Sequence, residues 1–367
     1  LIIGRATRAN MVDALGKISN SNIGRATGVW GFVTVSMILA FYAIVAGWMI
    51  SYFFESFTQI IGLNEASQWL TGSSTARSLI FCGLFIALTA SIVVGGVSDG
   101  IERWSVRLMP TLILIILLLI GYVATLDGAM DGWKAYLVPD FSAILNAELL
   151  ISAMGQAFFS MSLGVGTVLV YGSYVSKNEN LPVLGASVAL VDIGVAILAG
   201  MLIIPAMYVA LNNGVQIFSE NGELIAGDSL IFTVLPALFN TMGVVGYFVA
   251  FAFFALMVIA ALTSSISMLE VPVAYVVESK GLARKKAVWL LGIIIFIMSS
   301  TIIFNFGALF GLVISVTTEY SQPLLGLALS IFVGWVWKRA QLFLENLALV
   351  SEVRVSGYHP FHVHPFT

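Results

Sequence analysis

The chain has 367 residues, of which 59% are hydrophobic and only 10% charged, with a formal net charge of -3 and a mean hydropathy of +1.02. So few charges cannot cover the surface of a water-soluble globule, whereas a bilayer removes that demand and requires backbone groups to bond internally. A soluble domain is excluded, helices are expected, and the scattered charge, with no basic stripe, argues against nucleic acid as a partner.

Leu1 rather than Met opens the chain, and no charged region followed by a short apolar core and a small-residue cleavage site comes after it; the expectation is a clipped chain, not a processed one. Residues 1–27 read as a cytoplasmic connection. Apolar stretches of membrane length then follow at 28–54, 78–97, 108–126, 148–174, 183–211, 242–276, 287–305 and 306–337. These eight predict an all-α, polytopic membrane bundle. Pro205, Pro272 and Pro323 are expected to kink it, and 341–367 has no membrane-length run and reads as an unassigned cytoplasmic tail.

Alternate connections differ in basic residues, and these are retained on the cytoplasmic side. All of the 16 Lys and Arg residues except Arg77 and Lys134 fall on one side, among them Arg5, Arg8, Arg103, Lys280 and Arg284. The opposite connections carry Glu65, Asp127, Asp131, Asp140, Glu220, Glu223 and Asp228. Both ends of the chain are therefore expected inside. The connection 212–241 is the longest outer one, and Ser229 to Phe239 is apolar enough to pack down on the bundle, either as a lid or as a partly buried loop.

Polar groups in lipid are costly and mark a pathway. In the fourth stretch, Gly155-Gln156-Ala157-Phe158-Phe159-Ser160-Met161-Ser162-Leu163-Gly164-Val165-Gly166 combines hydroxyls with glycines at mid-membrane. It reads as an unwound turn offering carbonyl oxygens to an ion or cargo, or as a small-residue packing face. In the sixth, Thr263, Ser264 and Ser265 follow Ala260. They supply oxygen ligands suited to a hard cation such as sodium, or bond back to their own helix. Asp192 in the fifth stretch needs a cation or a proton, and Tyr42 puts a phenol halfway through the first. Gly96-Val97-Ser98-Asp99-Gly100 has the form of a nucleophile elbow, but it lacks the strand-turn-helix setting and any histidine in the membrane core. The chain is therefore not read as an enzyme. Cys82 is the single cysteine, so no disulfide or thiolate cluster is expected. His359, His362 and His364 form a terminal cluster without acidic or Cys partners.

The segment Gly155 to Gly166 resembles the broken sixth helix of the neurotransmitter:sodium symporter family, in its bacterial amino-acid branch. Gly100-Ile101-Glu102-Arg103 with Met109-Pro110-Thr111-Leu112, Pro139-Asp140-Phe141, and Ala261-Leu262-Thr263-Ser264-Ser265 are also similar to family signatures, and in the family's order. The resemblance covers residues 1–340 and implies a partial inverted-repeat, leucine-transporter-like membrane domain. The eight spans would correspond to the family's third to tenth helices. The helices on either side of these are not represented, so the piece is expected to be inactive alone.

By that resemblance, Tyr42 bonds the substrate carboxylate, Phe159 closes over the substrate from outside, and Ser162, Gly164, Val165 and Ser264 line its pocket. Ser160 and Asp192 match ligands of a first sodium ion, and Ala260, Thr263 and Ser264 those of a second. Many animal relatives have asparagine where Asp192 stands and use chloride, so uptake here is expected to be independent of chloride. With Val165, Ile38 and Met268 making the pocket apolar, the implied function is sodium-driven import of a hydrophobic amino acid across the plasma membrane, a bacterial inner membrane, with no organic cofactor. The alternatives are a proton-coupled transporter in which Asp192 takes the proton, and a non-transporting membrane scaffold subunit.

Overall fold

The computed structural model describes residues 1–138, 141, 145–219, 224–225 and 227–337. Outside them lie Pro139 and Asp140 of one expected signature, Glu220 and Glu223 of the outer connection, and 338–367 with Lys338, Arg339, Arg354 and the three histidines.

The chain opens with α1 (Ile2–Thr7) and α2 (Met11–Ser19). The Asn10 side chain accepts from Val12 N and Asp13 N, both at 3.1 Å, and so satisfies two donors that a helix start leaves open. α2 turns Met11, Val12, Ala14 and Leu15 inward. The expected connection 1–27 is thus helical and packed.

α3 (Asn22–Ile60) begins at the Ser21 cap and runs 39 residues. That is about 58 Å at 1.5 Å per residue, so it extends well past a ~30 Å hydrocarbon layer. α4 (Asn64–Thr71) leads into α5 (Thr75–Val94). Gly47 lets α3 and α5 touch, since a Cβ there would lie 2.7 Å from Cys82 N. Together with α13 (Val244–Lys280) and α14 (Arg284–Phe304), these helices form the main core around Ile44, Phe85, Ile266 and Ile295. A second core joins α6 (Arg103–Val123), α10 (Leu181–Asn212), α12 (Leu235–Thr241) and the outer part of α13.

Among the described residues, six helices are long and apolar enough to cross a membrane: 22–60, 75–94, 97–123, 181–212, 244–280 and 284–304. The third of these enters through a π-helical turn, Val97–Glu102, so the Gly-x-Ser-x-Gly string is helical and not an elbow. Lys134 sits on α7 (Ala129–Leu137).

The two remaining expected spans are assembled from shorter pieces. The fourth is split into α8 (Ala147–Ser160) and α9 (Thr167–Tyr174). The last runs through α15 (Phe306–Ile314), a π-helical turn Ser315–Ser321 and α16 (Gln322–Ile331), ending in a second π-helical turn, Phe332–Val336. The first π turn lies just ahead of Pro323, which lacks an N–H and crowds the carbonyl four residues back; a wider turn relieves both.

The outer connection folds onto the bundle through α11 (Gly227–Ser229), a π-helical turn Leu230–Val234 and α12. Val234, Leu235 and Leu238 are buried, and Phe232 lies against Trp48 and Tyr52.

Candidate functional site

The break between α8 and α9 is a property of the backbone. Ser162 (φ 50°), Gly164 (φ 90°) and Gly166 (φ 90°) are left-handed, a conformation that L side chains rarely adopt and that no right-handed helix passes through. Leu163 N reaches back to Phe158 O at 2.9 Å and Ser162 N to Phe159 O at 3.1 Å, which closes α8. α16 braces the turn from the other side. Gln322 Nε2 donates to Phe158 O at 2.7 Å, and a Cβ on Gly164 would fall 2.5 Å from Gln322 O. Gly155, at the start of the expected unwound stretch, remains helical with open space beside it.

The named oxygens assemble in two pairs. Ser160 Oγ, the last residue of α8, donates to Asp192 of α10 and lies 2.9 Å from both carboxylate oxygens. Ser160 is exposed and Asp192 half-buried. On the other side, the half-buried Tyr42 phenol of α3 lies near the exposed Ser264 hydroxyl of α13. Thr263 Oγ1 donates to Ala260 O of its own helix at 2.9 Å, the local back-bond that sequence reading left open. Among the described residues, no hydrogen bond joins the Ser160–Asp192 pair to Tyr42, Thr263 or Ser264. Val165 is buried in the main core, which also holds Ile38 and Met268. Phe159 is 37% exposed, while its neighbour Phe158 packs on Gly326. No group of three or more His, Cys, Asp or Glu gathers among the described residues; the polar atoms at the break are hydroxyl, carbonyl and single carboxylate oxygens.

A polar network around Glu270 is not foreshadowed by the sequence reading. Glu270 of α13 is fully buried and is held by Arg284 of α14 at 3.1 and 2.5 Å and by Tyr174 OH of α9 at 2.8 Å. Arg284 Nε also donates to Val93 O of α5 at 3.0 Å. Four helices meet on one ion pair. The available signal was Glu270 itself, a lone carboxylate in an apolar run just as Asp192 is. Nearby, the Asn10 backbone N–H donates to Glu278 at 2.7 Å, and its side chain donates to Asp13 at 2.9 Å. Ser279 also hydrogen-bonds Asp13. These bonds tie the start of α2 to the end of α13.

A helical membrane bundle with one span interrupted at mid-course, and oxygen-bearing side chains gathered beside the interruption, defines a membrane transport protein. The chain belongs to the sodium:neurotransmitter symporter family, whose model matches residues 71–366, and it is a multi-pass membrane protein. An uncharacterized sodium-dependent transporter of Bacillus subtilis, YhdH, is 36% identical over 318 residues, 84% of this chain and 67% of that protein. A second uncharacterized sodium-dependent transporter, from Haemophilus influenzae, is 33% identical over 92% of this chain and 77% of its own length. The crystal structure of MhsT in complex with L-phenylalanine superposes with a TM-score of 0.78 at 33% identity, over 97% of this chain and 80% of MhsT.

Proposed function

We propose that the protein imports an amino acid with an apolar side chain, using the sodium gradient and alternating access of one central site to the two faces of the membrane. The observation that carries this reading is the turn at 161–166, with the Ser160–Asp192 pair at its edge. A half-helix end and a carboxylate side by side suit a cation bound next to the carboxylate of a zwitterion. In this reading Ser160 and Asp192 hold one sodium ion, and Ala260, Thr263 and Ser264 a second. Tyr42 bonds the carboxylate of the cargo, Ser162, Gly164, Val165 and Ser264 line its pocket, and Phe159 covers it. The apolar neighbours Ile38, Val165 and Met268 favour a hydrophobic side chain, and the phenylalanine bound by MhsT is in keeping with that choice. Asp192 supplies the negative charge at the first ion, so uptake at saturating sodium is expected to be flat in chloride.

The test is uptake of radiolabelled phenylalanine and leucine into proteoliposomes holding the full-length protein, with and without an inward sodium gradient. Sodium-driven accumulation is expected, and Ser160→Ala or Asp192→Asn should raise the sodium needed for half-maximal uptake. Accumulation driven by a pH gradient in the absence of sodium would overturn the coupling. A steep chloride dependence would overturn the role given to Asp192.

A further inference from the structure

Arg77 is the third residue of α5 and only 6% exposed. One of its terminal nitrogens donates to Leu70 O at 2.7 Å, an oxygen that also accepts the Ser51 hydroxyl at 2.6 Å. Its Nε is buried and makes no hydrogen bond. Among the described residues the ion pairs are Lys134 with Asp131 and Arg284 with Glu270, so no carboxylate balances Arg77. The buried carboxylate of Glu55 is spent on Ser67, at 2.9 Å, and on Gln59. A guanidinium taken out of water without a counter-charge is costly. A place in the first turn of a 20-residue helix adds to the cost, because the helix dipole puts partial positive charge at the same end.

The same wall offers further donors. Ser74, the N-cap residue, makes no side-chain cap bond. The first-turn amides ahead of Ser78, whose own N–H meets Ser74 O at 3.0 Å, have no carbonyl inside the helix to bond. Ser74, Thr75 and Arg77 all line one cavity of about 400 Å³, which the rings of Trp48 and Phe232 also line. By the charge asymmetry of the connections this cavity is on the outer side. Asp228 also lines it, exposed, with its carboxylate accepting from Ser229 N at 2.9 Å.

We infer that this outer cavity binds a small monovalent anion, a halide or the carboxylate of a small acid, between Arg77 Nε and the N-terminus of α5. The anion supplies the counter-charge that the described residues do not and occupies donors that they leave open. Asp228 is exposed and so screened by water more than the buried Arg77 is, which makes its repulsion of the anion the weaker effect.

The test uses the full-length protein in detergent at constant sodium, with sodium lactobionate, whose carboxylate rides on a disaccharide-sized body, replaced stepwise by sodium bromide or by sodium acetate. Tm is expected to rise along a saturable curve in at least one arm, and the arm that responds identifies the source. Arg77→Gln should abolish the rise. Ser74→Ala, which removes a hydroxyl that caps nothing, should raise the half-maximal concentration several-fold. Crystals grown in bromide should show an anomalous peak beside Arg77 if halide is the ligand. A flat or strictly linear response in both arms, or the same saturable rise in Arg77→Gln, overturns the inference. Should Arg77→Gln not fold, an unchanged midpoint in Ser74→Ala overturns it as well.

Discussion

Removing the Glu270 carboxylate tests how much of the inner architecture hangs on one ion pair. Glu270 is 1% exposed at its side chain and Arg284 24%, so Glu270→Ala strands a largely buried guanidinium. Losing one partner of a buried pair costs about 3–5 kcal/mol. The lower end applies here because Arg284 keeps its bond to Val93 O and some contact with water. Tyr174 loses its acceptor as well, adding about 1 kcal/mol. A loss near 4 kcal/mol is therefore expected, against about 1–2 kcal/mol for Glu270→Gln, which keeps the shape and one acceptor. Replacing both partners, Glu270→Met with Arg284→Met, should recover most of the loss, because no orphaned charge remains. Unfolding of the wild type, Glu270→Met, Arg284→Met and the double variant in detergent, read as a double-mutant cycle, gives the coupling directly. If Glu270→Ala unfolds like the wild type, or if the double variant is no more stable than the single one, the reasoning fails.

Three further outcomes follow from geometry already described. Gly164→Ala places a Cβ 2.5 Å from Gln322 O on a residue with φ 90°; the conformational cost alone is about 1–2 kcal/mol, and uptake should fall even where the protein is still made and inserted. Thr263→Ala removes only a bond to its own helix, so Tm should stay within about 0.5 kcal/mol equivalents while half-maximal uptake needs more sodium; unaltered sodium dependence would remove Thr263 from the second ion. Burial by itself would raise the Asp13 carboxyl, but hydrogen bonds from Ser279 and Asn10, with Lys17 and Arg25 nearby, bring it net below its ordinary value. A depressed carboxylate contributes stability above its unfolded value and loses it as pH falls through the folded one. The advantage of wild type over Asp13→Asn should thus be level between about pH 7 and 5 and shrink below about pH 4; a difference that persists in acid would refute the assignment.

The spans were legible because lipid enforces long apolar runs, and the break was legible because the glycines at 164 and 166 have backbone freedom that their neighbours lack. Its extent was less so. Gly155 sits in the same composition yet stays helical, since nothing packed against it requires otherwise, whereas Gly164 meets the α16 backbone. The partition of the oxygens into two pairs depends on which faces of α8, α10, α3 and α13 oppose one another, and periodicity on one helix does not reveal that. Thr263 shows the limit: its local bond and its proposed ion contact use the same atoms and leave the same sequence. The Glu270 network escaped because Tyr174 is 96 residues from its acceptor. A residue's neighbours in space are set by packing, and in the sequence Arg284 reads only as one basic residue of a connection.

Three left-handed residues within five positions mean that the gap in the fourth span persists after any cargo leaves. The energy of keeping those carbonyls out of register is settled once, when the chain folds, and does not recur at every turnover. In the function proposed above, an arriving ion would meet an opening already formed, with no helix to melt first.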